Sequence, residues 1–514
     1  MLAVLTPEQM AAADRATIAA GTPSLTLMER AGIAVAGAAV RAAGGAYGRR
    51  VIILAGKGSN GGDGLVAARH LAARGAFPVV VFPDDPGELK GDARTNLERL
   101  RNVRLLRFAE RSFARELQRA DLVVDALYGT GFRGVLAGPP AQAVTAVNQS
   151  GLPVVAVDIP SGVNGLTGRV DGPAIRATIT VTVAALKLGI VFHPGSEYAG
   201  EVEVADIGIT TPQFPKVIGV PEEADVAEVL GHRPLDAHKR SVGTAMIVAG
   251  SVSMSGAVAL ATSGALRSGA GLVTIASGAS VVAEVHPRVL EATSLRLPET
   301  PQGTLAAGAL DLLLEKAPTV DAVAIGPGLS TDRETVDVVR KTVAALENPL
   351  VADADALNAL AGDPGVLAAR GAPTAITPHP GELGRLLGVS TASIQADRLA
   401  AARHAAERFG CAVVLKGYRS IVADSSGPTV IITTGGPALA TGGTGDVLTG
   451  VTATLLAGGA EPFTAAWAAS WLHGRAGDVL ERVIGARGTV AGDLPAAVAG
   501  VIHDLEAHLP PGPG

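Results

Sequence analysis

Residues Val51–Gly75 read VIILAGKGSNGGDGLVAARHLAARG. An apolar, β-branched run gives way to closely spaced glycines, which lead into an alanine-rich stretch with helical periodicity from about Leu65. That order predicts a strand, a glycine-rich turn and a helix. Glycines at such a turn let the backbone approach a phosphate closely, and the next helix offers free N–H groups at the positive end of its dipole. Packing alone also produces glycine-rich turns of this kind. The spacing is not G-x-G-x-x-G, so the ordinary dinucleotide fingerprint is absent.

Outward from this stretch, similar short runs follow at Val79–Phe82, Leu122–Asp125, Val154–Asp158 and Ile179–Val183, with helical patterns between them. Strands apolar on both faces that alternate with helices predict a mostly parallel sheet covered on both sides. Upstream, Thr6-Pro7-Glu8-Gln9 reads as a capping box that opens a helix to about Ala19, and Leu25–Arg41 reads as a second helix. Residues 1–210 are therefore expected to form a three-layer α/β domain ending near Ile209. Two strand ends carry aspartates: Asp125 precedes Tyr128-Gly129-Thr130-Gly131-Phe132-Arg133, and Asp158 precedes Ile159-Pro160-Ser161-Gly162. Ligands of open parallel sheets bind outside the carboxyl ends of the strands. Asn60, Asp125, Asp158 and Ser161 are thus expected in one crevice, although any one alone could be a turn former.

The stretch TTPQFPKVIGVPEE has three prolines and no helical period, so residues 211–237 read as a linker or an extended edge segment. A second α/β pattern then occupies residues 238–510. Its expected strands are Ala245–Ala249, Leu272–Ala276, Ala322–Ile325, Pro349–Asp353, Thr374–Thr377 and Ala412–Leu415, and a long helical stretch begins at Thr464. The tail LPPGPG reads as frayed.

Composition narrows the class. A chain of 514 residues, 48% hydrophobic and 18% charged, can bury two or three cores. The mean hydropathy of +0.35 comes largely from alanine, and Gly, Pro or charges break every apolar run. The nearest approach to a membrane span, Val451–Leu472, contains Glu461 and Pro462 and reads as buried helices. The opening MLAVLTPEQM lacks a basic segment, so no signal peptide is expected. One cysteine, Cys411, excludes an internal disulfide and a cysteine zinc cage and suggests a buried thiol in the cytoplasm. A net charge of -6 argues against nucleic acid as a partner.

In the second half, Thr441-Gly442-Gly443-Thr444-Gly445-Asp446 leads into the apolar helix VLTGVTATLLAG. Consecutive glycine N–H groups at a helix start make an anion hole for a transferring phosphoryl group, and an aspartate there can take a hydroxyl proton. Lys416-Gly417-Tyr418-Arg419-Ser420 follows a strand and could grip phosphates with backbone and side-chain donors. His379 stands between two prolines in Thr377–Glu382, and Gly326-Pro327-Gly328 ends another strand. Asp353 and Asp355 could hold a magnesium–water shell, or one of them could be only a helix cap.

These residues carry two resemblances. NGGDG, DALYGTGF and DIPSG, after an early LMERAG helix, resemble the NAD(P)H-hydrate epimerase family over roughly residues 1–210. The resemblance implies a Rossmann-like domain that interconverts the R and S forms of a cofactor with water added to its nicotinamide ring. It implies substrate contacts at Ser59, Asn60, Gly61, Gly62 and Asp63 and at Gly129, Thr130, Gly131, Phe132, Arg133, Gly134 and Val135, with Asp158 as acid/base. It also implies a potassium ion on Asn60, Asp125 and Ser161. Lys187 is either an electrostatic aid or a solvated lysine.

GPGL, DADALN, TPHPGE, KGYRS and GGTGDVLTG, in that order over roughly 238–505, resemble the ribokinase-like NAD(P)H-hydrate dehydratases. That implies ADP-dependent phosphorylation of the S hydrate, release of AMP and phosphate, and magnesium with the nucleotide. Asp446 would be the base, Lys416–Ser420 and Gly445 would contact ADP, and Gly256, Gly328 and His379, with Asp446, would contact the hydrate. Met254 departs from an aromatic common in relatives. The expected partners are NADH hydrate, NADPH hydrate and ADP, with no nucleic acid or membrane, and a homo-oligomer is the expected assembly. Two other readings share the GTGD motif: a small-alcohol kinase fused to a ligand-binding domain, and a nucleotide-sensing module without turnover. A lasting phosphoester would mark the kinase, and absence of turnover the sensor.

Overall fold

The computed structural model describes residues 1–209, 218–507 and 509. The chain divides into two compact units, Leu2–Val217 and Ile218–Gly514, the latter grouped with Met1. Residues 210–217, with the first eight positions of the proline-containing stretch, lie outside the described residues, as do Pro510–Gly514 of the tail.

In the first unit, parallel strands run in the order Arg104–Arg107, Phe77–Phe82, Arg50–Ala55, Leu122–Ala126, Val154–Val157, Ile179–Val183, Glu201–Ala205. Side-chain alternation splits the core into two layers. Val51, Ile53 and Val124 pack with Val35, Ala36 and Ala39 of the helix Ser24–Ala42. Ile52, Leu54 and Val123 face Phe113, Val144 and Val147 on the other side. The sequence order reverses between Arg50–Ala55 and Leu122–Ala126, which makes the carboxyl ends of these strands the crevice of the sheet. The capping box at Thr6 forms as expected, with Gln9 N donating to Thr6 Oγ1 at 3.2 Å and Thr6 N to Gln9 Oε1 at 2.9 Å. Leu2–Leu5 forms an unexpected short strand, parallel to Leu186–Lys187.

One expectation is corrected. The helix after Arg50–Ala55 begins at Ser59, not near Leu65, so Ser59–Gly64 forms its first turns rather than a loop. Tight packing is the reason. A Cβ on Gly61 would lie 1.8 Å from the Gly56 carbonyl oxygen, and one on Gly62 would lie 2.5 Å from Met28 Sδ. These glycines let a helix sit directly against backbone and neighbouring side chains.

In the second unit, the order is Thr293–Leu297, Leu272–Gly278, Thr244–Val248, Ala322–Ile325, Leu350–Ala352, Thr374–Ile376, Ala412–Leu415, Ile421–Ala423, Thr429–Ile431, Ile218–Val220. The sheet is parallel except for the antiparallel pairings of Ile421–Ala423 with its two neighbours. The segment read as a linker or an extended edge segment therefore contributes the strand Ile218–Val220, and it also forms the helix Glu223–Leu230. The helices Ser255–Arg267 and Thr444–Ala457 cross closely: a Cβ on Gly450 would lie 1.9 Å from Ala261 O, and one on Gly264 would lie 2.6 Å from Val447 O. Thr444–Ala457 and Pro462–Val483 are the buried helices of the most apolar region. Among the described residues, no helix is long and apolar enough to cross a membrane. Cys411 is buried, and burial pushes its thiol up to about 12, as a structural cysteine requires.

Candidate active sites

In the first unit, the strand ends at the switch point gather Asn60, Asp125, Asp158 and Ser161. Asp125 is fully buried and accepts hydrogen bonds from Ser161 N at 2.8 Å, Ser161 Oγ at 2.7 Å and Leu127 N at 3.3 Å. Burial raises its carboxyl to about 6 against the pull of these donors. Asn60 Nδ2 donates to Val157 O at 3.1 Å. A Cβ on Gly129 would lie 2.9 Å from Asn60 Oδ1 and 3.2 Å from Asp158 Oδ2, so the two side-chain oxygens converge on a residue that must be small.

Asp158 itself holds a left-handed backbone, φ 65°, which an aspartate tolerates better than most residues. Its Oδ2 accepts from Thr130 N at 3.4 Å, and its Oδ1 accepts from Lys187 Nζ at 2.5 Å. Lys187 is not solvated: it is fully buried, and its ammonium also donates to Val183 O at 2.7 Å and Thr182 Oγ1 at 3.0 Å. An ammonium held by three acceptors fixes the direction of the carboxylate it donates to.

Two further carboxylates share this environment. Burial and the field of Asp158 raise Asp63 well above the ordinary range, with a further push from Asp14 and only partial relief from Lys187. Asp14, from the helix Pro7–Ala19, is raised for similar reasons. Nothing in its sequence neighbourhood singled it out. Beyond Gly129, Phe132 tilts against Tyr128 with ring centroids 5.3 Å apart. Arg133 Nη1 donates to Thr130 O at 3.0 Å and Phe132 O at 2.9 Å, which ties the loop into a turn. Gly131 and Gly134 have open space around them, and Val135 is exposed.

The second unit builds its site around a buried ion pair. Lys416 Nζ donates to Asp353 Oδ1 at 2.7 Å and lies 3.9 Å from Glu382 Oε2; Thr449 Oγ1 donates to Asp353 Oδ2 at 2.9 Å. Burial alone would lower the Lys416 pKa, but Asp353 and Glu382 outweigh it and raise it, so the ammonium stays charged. Asp355 instead braces the glycine turn, accepting from Ser330 N at 2.9 Å and from Asn358 Nδ2 at 3.1 Å.

Gly443 caps the helix Thr444–Ala457 in a left-handed conformation, φ 90°. A Cβ on Gly445 would lie 3.4 Å from Lys416 Nζ and 3.7 Å from Asp353 Oδ2, so the helix start overlies the ion pair. Asp446 sits in this first turn. Burial, with Asp353 and Asp355 adding and Lys416 opposing, raises its carboxyl to about 7. Behind it, His473 Nε2 lies 2.9 Å from Thr444 O, and burial pushes its pKa down to about 4, which keeps it neutral.

His379 proves to be a helix cap. Its Nδ1 accepts from Gly381 N at 2.9 Å and Glu382 N at 3.3 Å, while Glu382 Oε2 accepts from His379 N at 2.7 Å. Its Nε2 lies 3.3 Å from Glu382 Oε1, so the half-exposed ring offers a ligand its face and edge. Gly328, φ 64°, packs against Met254 and Ala257, the neighbours of Gly256, which itself borders open space. In the loop 416–420, Arg419 Nη1 donates to Thr433 O and Ser420 Oγ to Gly417 O at 3.0 Å, while Tyr418 is exposed.

Taken together, these features define an enzyme of two α/β units. One carries a buried carboxylate–lysine centre at the switch point of a parallel sheet, and the other a glycine-capped helix start over a buried ion pair. Residues 245–497 match the family described as NAD(P)H-hydrate dehydratase, and residues 24–189 match the family described as YjeF-related protein N-terminus. The Bifunctional NAD(P)H-hydrate repair enzyme Nnr of Moorella thermoacetica is 44% identical over 95% of this chain and 94% of its own length. The enzyme of that name from Salinibacter ruber is 42% identical over 96% and 94%. A crystal structure of ADP/ATP-dependent NAD(P)H-hydrate dehydratase from Bacillus subtilis, co-crystallised with ATP and Mg2+, is 32% identical, covering 56% of this chain and 99% of that one, with a TM-score of 0.48. The chain belongs to the bifunctional NAD(P)H-hydrate repair enzyme family. It combines an epimerase with a dehydratase, and the reading as a small-alcohol kinase fused to a binding domain is not favoured.

Proposed function

We propose that the first unit epimerises the hydrate at Asp158 and that the second dehydrates the S form by ADP-dependent phosphorylation at Asp446. The observation that carries the reading is Asp446 in the first turn of a glycine-capped helix, with Lys416 and Asp353 directly beneath Gly445.

In the epimerase, the hydrated ring carbon bears a hydroxyl and is bonded to the ring nitrogen, whose lone pair assists C–O cleavage. Asp158, oriented by Lys187, moves the proton as the hydroxyl leaves and water returns to either face. Asn60, Gly129–Val135 and the first helical turn, Ser59–Asp63, surround that position. The donor set suits a hard monovalent cation: a buried carboxylate, a hydroxyl and an amide oxygen, and among the described residues Asp125 is hydrogen-bonded only by Leu127 and Ser161. Asn60, Asp125 and Ser161 would hold potassium, whose positive charge would compensate Asp125 in the absence of water.

In the dehydratase, Asp446 takes the proton of the substrate hydroxyl while that oxygen attacks the β-phosphorus of ADP, and AMP leaves. The new phosphoester then departs as phosphate with help from the ring nitrogen, and loss of a ring proton restores NAD(P)H. Gly445 and the loop Lys416–Ser420 hold the nucleotide, while Gly256, Gly328 and the ring of His379 line the hydrate side. Among the described residues, no group of three or more His, Cys, Asp and Glu forms a ready metal cage. Asp353 is already engaged by Lys416 and Thr449, so magnesium here fits an ion carried mainly by phosphate oxygens and water. It would supply charge neutralisation to the phosphates. Product analysis tests this reading: S hydrate plus ADP should give AMP, free phosphate and reduced nicotinamide in equal amounts. A lasting phosphoester would instead show a kinase.

A further inference from the structure

The loop 416–420 is held from beneath by a side chain that no motif pointed to. Arg398 is the first residue of the helix Arg398–Phe409. Its Nη1 donates to Tyr418 O at 2.5 Å, and its Nη2 donates to Leu415 O at 3.2 Å and Lys416 O at 3.3 Å. Gly417 crosses over it with φ 141°, and a Cβ there would lie 2.9 Å from Arg398 Nη2. The planar fork of arginine suits such multiple carbonyl contacts, which a lysine ammonium cannot reproduce in the same geometry.

The direction of these carbonyls fixes the direction of the amides. In a trans peptide, the carbonyl and the following N–H point opposite ways. Among the described residues the one cis bond is His193-Pro194, which is not part of this loop. Turning Lys416 O and Tyr418 O onto Arg398 therefore turns Gly417 N–H and Arg419 N–H to the other side. Neither of these N–H groups donates to a protein acceptor among the described residues. The two cationic side chains of the loop, meanwhile, are committed to the protein: Lys416 to Asp353, and Arg419 to the Thr433 carbonyl. Apart from the exposed Tyr418 ring, what the loop presents on the side away from Arg398 is these amides, in the manner of an anion-binding nest.

We propose that Arg398 is a positioning residue for the nucleotide: by clamping three carbonyls it presets the amides of Gly417 and Arg419 as donors to the phosphates of ADP. This rests on the assignment of residues 416–420 to ADP. The test uses the full-length chain with Arg398→Lys and Arg398→Gln. Amide exchange at Gly417 and Arg419, with and without ADP, is combined with separate KM values for ADP and for the S hydrate. ADP should slow exchange at both amides in the unsubstituted protein. In the variants the KM for ADP should rise by about 10- to 100-fold, the loss expected for a charge-assisted clamp. The KM for the hydrate should stay within about twofold, because Arg398 carries no part of that pocket. Unchanged exchange in the unsubstituted protein would overturn the nucleotide assignment and the inference with it. Protected amides together with an unchanged KM for ADP in Arg398→Lys would overturn the role of Arg398 alone. So would an equal rise in both KM values, which marks a merely structural residue.

Discussion

Asp446 and Asp125 are both raised by burial, with opposite consequences for what can be measured. Asp446 must be ionised to take a proton, and its pKa of about 7 places that ionisation in the working range. The kcat/KM of the dehydratase for the S hydrate should therefore fall about tenfold per pH unit below pH 7 and level off above it, and Asp446→Asn should lose the limb along with the activity. Asp125 rises from 3.8 to about 6 on folding, so its contribution to stability is fully present below about pH 4 and is lost as pH rises through 6. In choline salts the melting temperature of the first unit's transition should fall across that window. Potassium should flatten the fall, because a bound cation favours the ionised form in the folded state. Melting curves in potassium and choline chloride check this, and an identical pH dependence in both salts would remove the ion from Asp125. At this scale the sequence located Asp125 and Asp158 at strand ends, where the structure has them, because strand ends are recognisable. It left Lys187 open between an electrostatic aid and a solvated lysine, without showing its contact with Asp158, a partner 29 positions away, and it gave no sign that Asp14 shares the same field. Side chains that meet only through tertiary packing leave no local pattern.

Among the elements, glycines at helix contacts carry the tightest constraints. The first turn of Ser59–Ala73 touches the Gly56 carbonyl, and Thr444–Ala457 touches Ala261 O. Gly61→Ala and Gly450→Ala should each destabilise their own unit by about 1–3 kcal/mol or more, since the obstacle is backbone rather than a movable side chain. Urea denaturation with a probe in each unit would show it, and a loss below about 0.5 kcal/mol, the ordinary surface range, would contradict the packing. Central strands such as Val51–Leu54 and Ala322–Ile325 were readable because burial on both faces demands unbroken β-branched runs. The strands Arg104–Arg107 and Glu201–Ala205, with sequences RLLR and EVEVA, were not, since charged residues at a sheet edge look like loop. The start of Ser59–Ala73 was placed too late for a related reason. Glycine has poor helix propensity, and only the close approach to Gly56 makes it necessary there.

For the whole molecule, the division of labour is the central claim: each unit has its own proton-handling aspartate, and neither activity alone clears both epimers. The mostly parallel pairing in both sheets follows from the alternation of strands and helices visible in the sequence, while the order of the strands does not. The segment 211–237, read as a linker or an extended edge segment, contributes the strand Ile218–Val220 to the second sheet and the helix Glu223–Leu230. Short elements that depend on a distant edge for pairing do not announce themselves. The most direct test gives an equilibrated mixture of R and S hydrates with ADP to the unsubstituted protein, Asp158→Ala and Asp446→Ala, and follows recovery of reduced-nicotinamide absorbance. The unsubstituted protein should recover all of the cofactor. Asp158→Ala should stop at the S fraction apart from slow spontaneous epimerisation, and Asp446→Ala should recover nothing. Full recovery by Asp158→Ala at the unsubstituted rate, or any rapid recovery by Asp446→Ala, would contradict the assignment.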